Sequence, residues 1–457
     1  MRRRPPLDHK RIVLTTLFVL CLYVVPAVGS FLPDELRVDQ FLQQETAYRV
    51  ASEPAFTKLL TFYQIDSRYR HSSKIDFTVI GRISYDPIYD LQDLSRTNLF
   101  QDRFQQTTPR SISDVDAFDI TLKEAYGDFL FDKVDLRIGK QITRWGVIEG
   151  FRITDELNPL NFNEFILREI EDRYIPLWML KLDTYFQNTT FQFVWIPELK
   201  FHKPAPPGSE FEQFQSPPGL EAPPKTFRNT EVGLRLSTHL KGFDLAVSLF
   251  DGWDDFPTAS RSIFGLGENS AGQSSGATRY HRIKTLGFTV TKGLGTEVFK
   301  GEFAYVSGRA FGTFASSVAG DPSIPKEVER PQFKYGLGWD TRLPFGIETF
   351  LQFSQQWIKG HESFIIADEL DSGASLVLQK KLLNEALFLK LLVLYIINDN
   401  EAMIRPRVTY RWTDRVTQSI GADIFEGKEG NIQQDDFRFI GFFDRNDRIY
   451  TEIRYSF

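Results

Sequence analysis

The chain has 457 residues, a formal charge of −6 and a hydrophobic content of 42%. The first 29 residues carry five basic side chains against Asp8 alone, so the remainder stands at −10, a balance that disfavours a nucleic-acid partner. Cys21, the only cysteine, falls in that first segment, which excludes disulfides, thiolate metal sites and cysteine nucleophiles from the rest.

Arg2, Arg3, Arg4, Lys10 and Arg11 precede an apolar run over 12–25, and Pro26, Ala27 and Gly29 follow it. This is the layout of a secretory signal peptide, 1–29, with cleavage expected after Gly29. A retained anchor is disfavoured, because the run is shorter than the roughly 20 residues of a spanning helix. Leu20 is also too large for a lipoprotein cleavage site ahead of Cys21. Residues 30–457 read as one domain, since no Pro/Gly/Ser linker divides them. The best later apolar run, 387–397, is interrupted by Lys390 and is too short to span as a helix. In a membrane, such a chain is left with a closed antiparallel β-barrel, where every backbone group pairs between strands.

Alternation with period two supports that all-β class. Over 75–85, Ile75, Phe77, Val79, Gly81, Ile83 and Tyr85 fall on one face, and Asp76, Thr78, Ile80, Arg82 and Ser84 on the other. The same sorting sets Val134, Leu136 and Ile138 against Asp135 and Arg137, and Trp178, Leu180 and Leu182 against Lys181 and Asp183. Farther on, Val232, Leu234 and Leu236 oppose Glu231 and Arg235, while Phe333, Tyr335, Leu337 and Trp339 oppose Lys334, Asp340 and Arg342. Near the end, Ile404, Val408, Tyr410 and Trp412 oppose Arg405, Arg407 and Arg411. Tight turns at Lys241-Gly242, Gly293-Leu294-Gly295, Pro344-Phe345 and Thr413-Asp414 alternate with long polar stretches near 87–115, 144–174, 200–227, 253–279, 309–330 and 427–446. A soluble sandwich also alternates, but this one-sided asymmetry predicts short periplasmic turns and long extracellular loops. Counting runs gives roughly 18 strands, in a range of about 16 to 18, with the weakest near Tyr48 and Leu376.

The final nine residues place Ile449, Thr451, Ile453, Tyr455 and the terminal Phe457 on one face. Tyr455 and Phe457 in this setting resemble the signal read by the barrel-assembly machinery of outer-membrane proteins. An aromatic content of 14%, with 42 Phe, suits a lipid-facing surface with interfacial girdles.

The expected pore-lining set is Arg82, Lys123, Arg137, Lys181, Asp183, Arg235, Arg342, Arg405, Arg407 and Arg411. Acids of the same face, among them Asp76, Glu231, Asp340 and Glu452, nearly balance the bases, so little selectivity for one sign of ion is expected. Such charges are either hydrated along a path or paired so as to knit the lumen shut, and the width of about 18 strands favours the path. The simpler account of the Arg405, Arg407 and Arg411 ladder is pairing with acids on neighbouring strands.

The segment 144–174 follows the fifth predicted strand and is unusually charged. Arg144, Arg152, Asp155, Glu164, Arg168, Glu171 and Arg173 are its candidates for a loop folded inward to constrict the barrel, with a short helix predicted over 160–172. An ordinary solvated surface loop is the equal alternative. The Pro-rich 204–224 and Gly/Ser-rich 265–276 read as flexible.

The motifs Leu122-Lys123-Glu124-Ala125-Tyr126, Arg137-Ile138-Gly139-Lys140-Gln141, Trp145-Gly146 and Asn158-Pro159 resemble a block of proteobacterial outer-membrane proteins catalogued as domain of unknown function 1302. Glu302-Phe303-Ala304-Tyr305, Arg405-Pro406-Arg407-Val408-Thr409-Tyr410, Gly421-Ala422-Asp423-Ile424-Phe425 and Arg454-Tyr455-Ser456-Phe457 are similar to it as well. The resemblance implies a porin-like barrel, with an exporter of lipid or hydrophobic compounds as an implied partner and no agreed substrate.

The expectation is therefore an outer-membrane channel surrounded by lipid, passing a solute through a polar, mixed-charge lumen without a cofactor. A non-conducting scaffold with a plugged lumen, docked to an exporter, is the alternative. An outer-membrane hydrolase is disfavoured: His71, His202, His239, His281 and His361 are widely separated, no H-E-x-x-H motif is present, and the string Gly272-Gln273-Ser274-Ser275-Gly276 falls in the Gly/Ser-rich 265–276 rather than at a strand-to-helix elbow. The triplet His361-Glu362-Ser363 is weak by itself. A plugged receptor energised from the inner membrane is disfavoured too, because only about fifteen residues are expected between the signal and the first strand.

Overall fold

The computed structural model describes residues 33–91, 117–206, 209–212, 222–257, 279–313, 325, 327–428 and 438–457. The expected signal segment, most of 87–115, the Gly/Ser-rich 265–276 and part of the Pro-rich 204–224 lie outside the described residues.

The alternating runs become strands, each paired with its neighbour in sequence. They are β1 (Leu36–Arg49), β2 (Thr61–Ser72), β3 (Ile75–Tyr85), β4 (Phe118–Leu130), β5 (Val134–Gln141) and β6 (Leu177–Phe186). Next come β7 (Thr189–Ile196), β8 (Glu231–Leu240), β9 (Phe243–Trp253), β10 (Arg282–Leu294), β11 (Glu297–Ser307) and β12 (Gln332–Leu343). The last six are β13 (Ile347–Ile358), β14 (Leu370–Leu382), β15 (Leu387–Ile396), β16 (Glu401–Arg411), β17 (Val416–Glu426) and β18 (Arg448–Ser456).

β18 returns to pair antiparallel with β1 from Phe41↔Ser456 to Arg49↔Arg448, which closes the 18 strands into a barrel and leaves no sheet edge. The terminal strand seals this seam further. The Phe457 N–H donates to the Gln40 carbonyl at 3.1 Å, and the Phe457 ring meets Tyr63 edge-on at 6.0 Å. Connections at one end are two to four residues long, whereas at the other they run to 142–176 and 427–447, with 397–400 the short exception. The expected turn at Gly293-Leu294-Gly295 shifts slightly. β10 continues to Leu294, and Gly295, at φ 63°, supplies the left-handed residue of the turn.

The two faces sort as the alternation predicts. Phe77, Val79, Ile120, Leu122, Ile138, Trp178, Leu249, Leu337, Trp339, Val408, Ile420 and Ile449 are exposed on the outside, while Thr78, Met179, Asp183, Glu231, Lys334 and Asp423 are buried within. An apolar surface encircling the molecule is far larger than water tolerates on a monomer, and lipid is the solvent that satisfies it. Among the described residues no helix is long and apolar enough to cross a membrane. β15 departs from the simple pattern. Lys390, Leu392 and Leu394 all line an interior cavity, so this strand is apolar on both faces.

Candidate functional site: a loop across the barrel

The connection 142–176 turns inward and crosses the lumen. Its first half lies in a groove made by wall residues that lack side chains. A Cβ added to Gly233 of β8 would lie 2.5 Å from the Trp145 ring. One on Gly336 of β12 would lie 2.8 Å from Ile148, and one on Gly373 of β14 would lie 2.9 Å from Phe151. Close approach of the loop therefore requires glycine at these inward positions. Trp145 and Leu157 pack with Met179, Val194, Ile196 and Phe250 of the wall. The Trp145 indole N–H donates to Gln192 at 2.6 Å, and Gln192 in turn donates to Asp183 at 2.7 Å.

Glu302 of β11 is the principal backbone anchor. Its carboxylate accepts from the amides of Val147, Ile148 (2.6 Å) and Thr154 (3.2 Å) and from the Thr154 hydroxyl (2.8 Å). A single acid thus satisfies three loop N–H groups that water does not reach. Nearby, Glu156 pairs with Lys334 of β12, while Arg309 pairs with Asp254 at 2.8 Å.

The second half spans to the opposite wall. Glu164 meets Lys58 (2.7 Å) and Arg168 (2.6 Å), and Lys58 also pairs with Glu45 of β1. Asp172 receives Arg82 of β3 at 2.8 Å and Lys123 of β4 at 2.9 Å. Glu169 meets Arg407 at 3.1 Å and Lys390 at 3.2 Å, on β16 and β15. Beneath it, Arg405 bridges Asp423 (2.6 Å) and the Leu167 carbonyl (2.7 Å), and Arg448 holds the other Asp423 oxygen at 2.7 Å. Phe165 and Leu167 sink into an apolar cluster with Leu394, Met403, Phe425, Ile440 and Phe443.

The helix expected over 160–172 is absent. Only Ile170–Arg173 is helical, because Phe165 takes φ 52° to reach its aromatic cluster and breaks the run. The remaining expected residues of this loop are placed as follows. Arg152 donates to the carbonyls of Asp155 (2.8 Å) and Asn158 (2.9 Å). Asp155 accepts from the Trp145 amide (3.1 Å) and the Tyr174 hydroxyl. Arg144 reaches Glu171 at 3.3 Å, toward solvent.

Of the strand residues expected to line a pore, Arg82, Lys123, Arg405 and Arg407 face the loop. Arg137 pairs with Asp128 (2.6 Å), Lys181 approaches Asp183 (3.6 Å), and Arg235 lies in the electrostatic reach of Glu302 and Asp155. Arg342, paired with Glu348 at 2.9 Å, and Arg411, which donates to the Glu385 carbonyl, stand at the turn end rather than across the bore. Pairing with neighbouring acids accounts for Arg405 and Arg407 but not for Arg411. Sequence reasoning missed Lys58, Glu156, Glu302 and Asp423 as anchors. Glu302 and Asp423 lie within the resemblance motifs, and that was their only signal.

Two cavities flank the loop. One, ≈ 720 Å³, lies between the loop and β12–β16; the other, ≈ 840 Å³, lies between the loop and β1–β4. His202, buried between them, accepts the Leu160 amide at its Nδ1, and burial together with Arg152 keeps its imidazole neutral. His361 hydrogen-bonds the Ala367 carbonyl, and Glu362 pairs with Arg330.

Glu156, Glu164 and Asp172 of the loop are held ionised. Burial alone would raise Glu156, but Lys334, Arg309 and Arg152 outweigh it and hold the carboxyl at about 2. Against the same burial penalty, Lys58 and Arg168 hold Glu164, and Lys123 and Arg82 hold Asp172, below the usual carboxylate range. Carboxyls depressed in the folded state stabilise it above their unfolded pKa, and that contribution is lost as pH falls toward the folded values. Acidification from about pH 5 to about pH 2 is therefore expected to release the loop before the barrel wall unfolds. Hydrogen exchange of 156–172 checks this, and protection that stays constant over that range would show that these pairs do not hold the loop.

A closed sheet with an apolar exterior and a charged interior crossed by a loop defines a porin-like β-barrel. The chain belongs to the family described as "Protein of unknown function (DUF1302)", whose model matches residues 56–368. No curated relative matches it. The solved structures it is similar to include OccK8 (OprE) of Pseudomonas aeruginosa, at TM-score 0.51 and 8% identity, covering 93% of this chain and 98% of that one. OccK1 (OpdK) of Pseudomonas aeruginosa gives TM-score 0.50 and 8% identity, with 93% and 99% covered. OccAB1 of Acinetobacter baumannii gives TM-score 0.50 and 7% identity, with 93% and 97% covered. At such identities the likeness is one of fold.

Proposed function

We propose that this protein is a porin-like channel of the Gram-negative outer membrane, passing small solutes through the water-accessible space beside its folded-in loop. The observation that carries this is the pair of charge-lined cavities of ≈ 720 and ≈ 840 Å³ on the two sides of the loop. Hydrated charges are tolerated at such density only where water reaches them. In this reading Arg82, Lys123, Arg405 and Arg407 line the narrow zone, with Glu164 and Arg168 on the loop as the constricting groups. Arg137, Lys181, Asp183 and Arg235 line the wall around it, and Arg342 and Arg411 meet solute at the periplasmic mouth. Residues 1–29 act as the export signal, and Tyr455 and Phe457 are read by the barrel-assembly machinery.

The plugged scaffold is the second reading, favoured by one observation: Trp145 and Phe165 carry apolar clusters of the loop into the bore. Single-channel recording of the purified protein in a planar bilayer separates the two. Stable unitary steps support the channel, whereas a heat-modifiable, folded barrel that never conducts supports the scaffold.

A further inference from the structure

The wall is not evenly paired beside the second cavity. β4 meets β3 from Phe118 to Phe129, yet β5 pairs with it only from Ala125↔Lys140 to Leu130↔Asp135. Among the described residues, no strand adjoins Phe118–Glu124 on its β5 side. The cause is local. Ile80 of β3 pairs with Glu124 and Gly81 with Leu122, so Lys123 is an extra residue in β4, and such a bulge bends its strand. Gly139 of β5 takes φ 138°, where an added Cβ would collide with the Ala125 carbonyl oxygen, and β5 ends two residues later at Gln141.

Unpaired backbone at membrane depth is tolerated only where it lines a space that water reaches. The ≈ 840 Å³ cavity occupies that place. From the lumen it is lined by Arg82, Lys123 and Asp172, and from the outer face by Lys140, which alternation puts on the same side as the exposed Ile138. The Lys140 ammonium donates to the Leu122 carbonyl at 2.6 Å, on the bare edge of β4. One cavity thus touches both sides of the sheet. On its other side stands a patch of loop backbone, in which the Asn161 amide donates to the Arg173 carbonyl at 2.7 Å and the Lys203 amide to the Leu160 carbonyl at 2.9 Å. Ile175 and Phe201 of that patch line the cavity. Outside, Phe118, Ile120 and Leu122 are exposed, Ile120 to 68% against 46% for Ile138 in the paired wall. Inside, Leu60, Phe62 and Ile88 line the cavity as well, so apolar surface continues from the lipid face through the gap into the bore.

We infer that the gap between β4 and the loop patch is a side portal, through which a single-chain amphiphile passes its hydrocarbon tail from the outer leaflet into the ≈ 840 Å³ cavity. The charges there are paired, Lys58 with Glu164 and both Arg82 and Lys123 with Asp172, so they call for no ion of either sign and offer hydrogen bonds to an uncharged head group. The portal goes beyond the channel reading by adding a lateral entrance to the lumen, and its existence does not depend on conduction along the barrel axis.

The test is quenching of a bimane label on single cysteines, in a Cys21→Ser background, with the full barrel in lipid nanodiscs and brominated dodecyl maltoside as the amphiphile. Thr121→Cys puts the label on the inner face of β4 at the gap, and Asp119→Cys on the same face is a second reporter should the first fail to fold. Gln356→Cys puts it on the inner face of β13, where Lys334 and Asp371 pair with it from both sides, and Ile138→Cys puts it on the lipid face. Quenching at 121 and 119 is expected to exceed that at 356 severalfold, to saturate, and to be relieved by excess unbrominated dodecyl maltoside, whereas at 138 it should rise without saturating. Brominated phosphatidylcholine, which does not enter along the axis, should also quench 121 more than 356. Folded barrels in which neither brominated species quenches 121 or 119 better than 356, or in which only the maltoside does, overturn the portal. Quenching at the gap that never saturates overturns the amphiphile as its occupant. Unitary steps from a barrel without a portal leave the channel reading standing, and saturable quenching in a barrel that never conducts overturns the channel and leaves the portal.

Discussion

Replacing Asp423 with alanine is expected to lower the unfolding free energy of the barrel by about 3–5 kcal/mol, the largest effect of any single substitution considered. The Asp423 side chain is 0% exposed and is clasped by Arg405 and Arg448, both also largely buried. Its removal leaves two largely buried guanidinium groups without their shared counter-charge, and Glu164, 3.7 Å from Arg448, offsets it only in part. Arg405 also reaches the Leu167 carbonyl, so the damage should extend from the wall into the loop. Asp423→Asn keeps one acceptor and should cost less. Urea unfolding of refolded protein in lipid vesicles gives the number, and a loss below about 1 kcal/mol for the alanine variant would mean that water or a rearranged acid already satisfies these arginines.

Excision of residues 160–172 is expected to raise the unitary conductance severalfold. The geometry permits a clean excision. The Ile175 amide donates to the Pro159 carbonyl at 2.8 Å, and Leu160 bridges Tyr174, so the two ends already lie side by side. The excision removes Phe165 together with Glu164, Glu169 and Asp172, and leaves Arg82, Lys123, Lys390 and Arg407 facing water without their loop partners. The enlarged pore should therefore favour anions, since Arg82, Lys123 and Lys390 lose their counter-charges while Arg407 keeps Glu452 alone. Reversal potentials under a salt gradient measure that bias directly. A heat-modifiable excised barrel with native conductance would show that the loop does not set the bore.

Much of the wall was legible because alternation is forced by lipid on one side and charge on the other. β3, β5, β6 and β12 declare both faces within a few residues, and the final strand carries its pattern to Phe457. β15 hid its inner face because Leu392 and Leu394 meet an apolar plug rather than water, a tertiary fact invisible in a local window. The loop 142–176 was legible as a charged segment, but its direction was not, since solvated and folded-in loops use the same residues. Its strongest anchors are long-range: Lys58 is 106 residues from Glu164, and Glu302 is 154 from Ile148. The predicted helix failed for a related reason. A tertiary aromatic cluster outweighed the local preference at Phe165.

The crossing of the lumen also has a mechanical meaning. Inter-strand hydrogen bonds fix the circumference of a closed sheet, but they do little to keep its cross-section round, and a hollow cylinder squeezed by a bilayer can flatten into an ellipse at small cost. A chain segment tied to β11 and β12 on one side, and to β3, β4, β15 and β16 on others, acts as a cross-brace. It converts lateral squeezing into strain on named ion pairs, so the shape of the bore is set by the same contacts that narrow it.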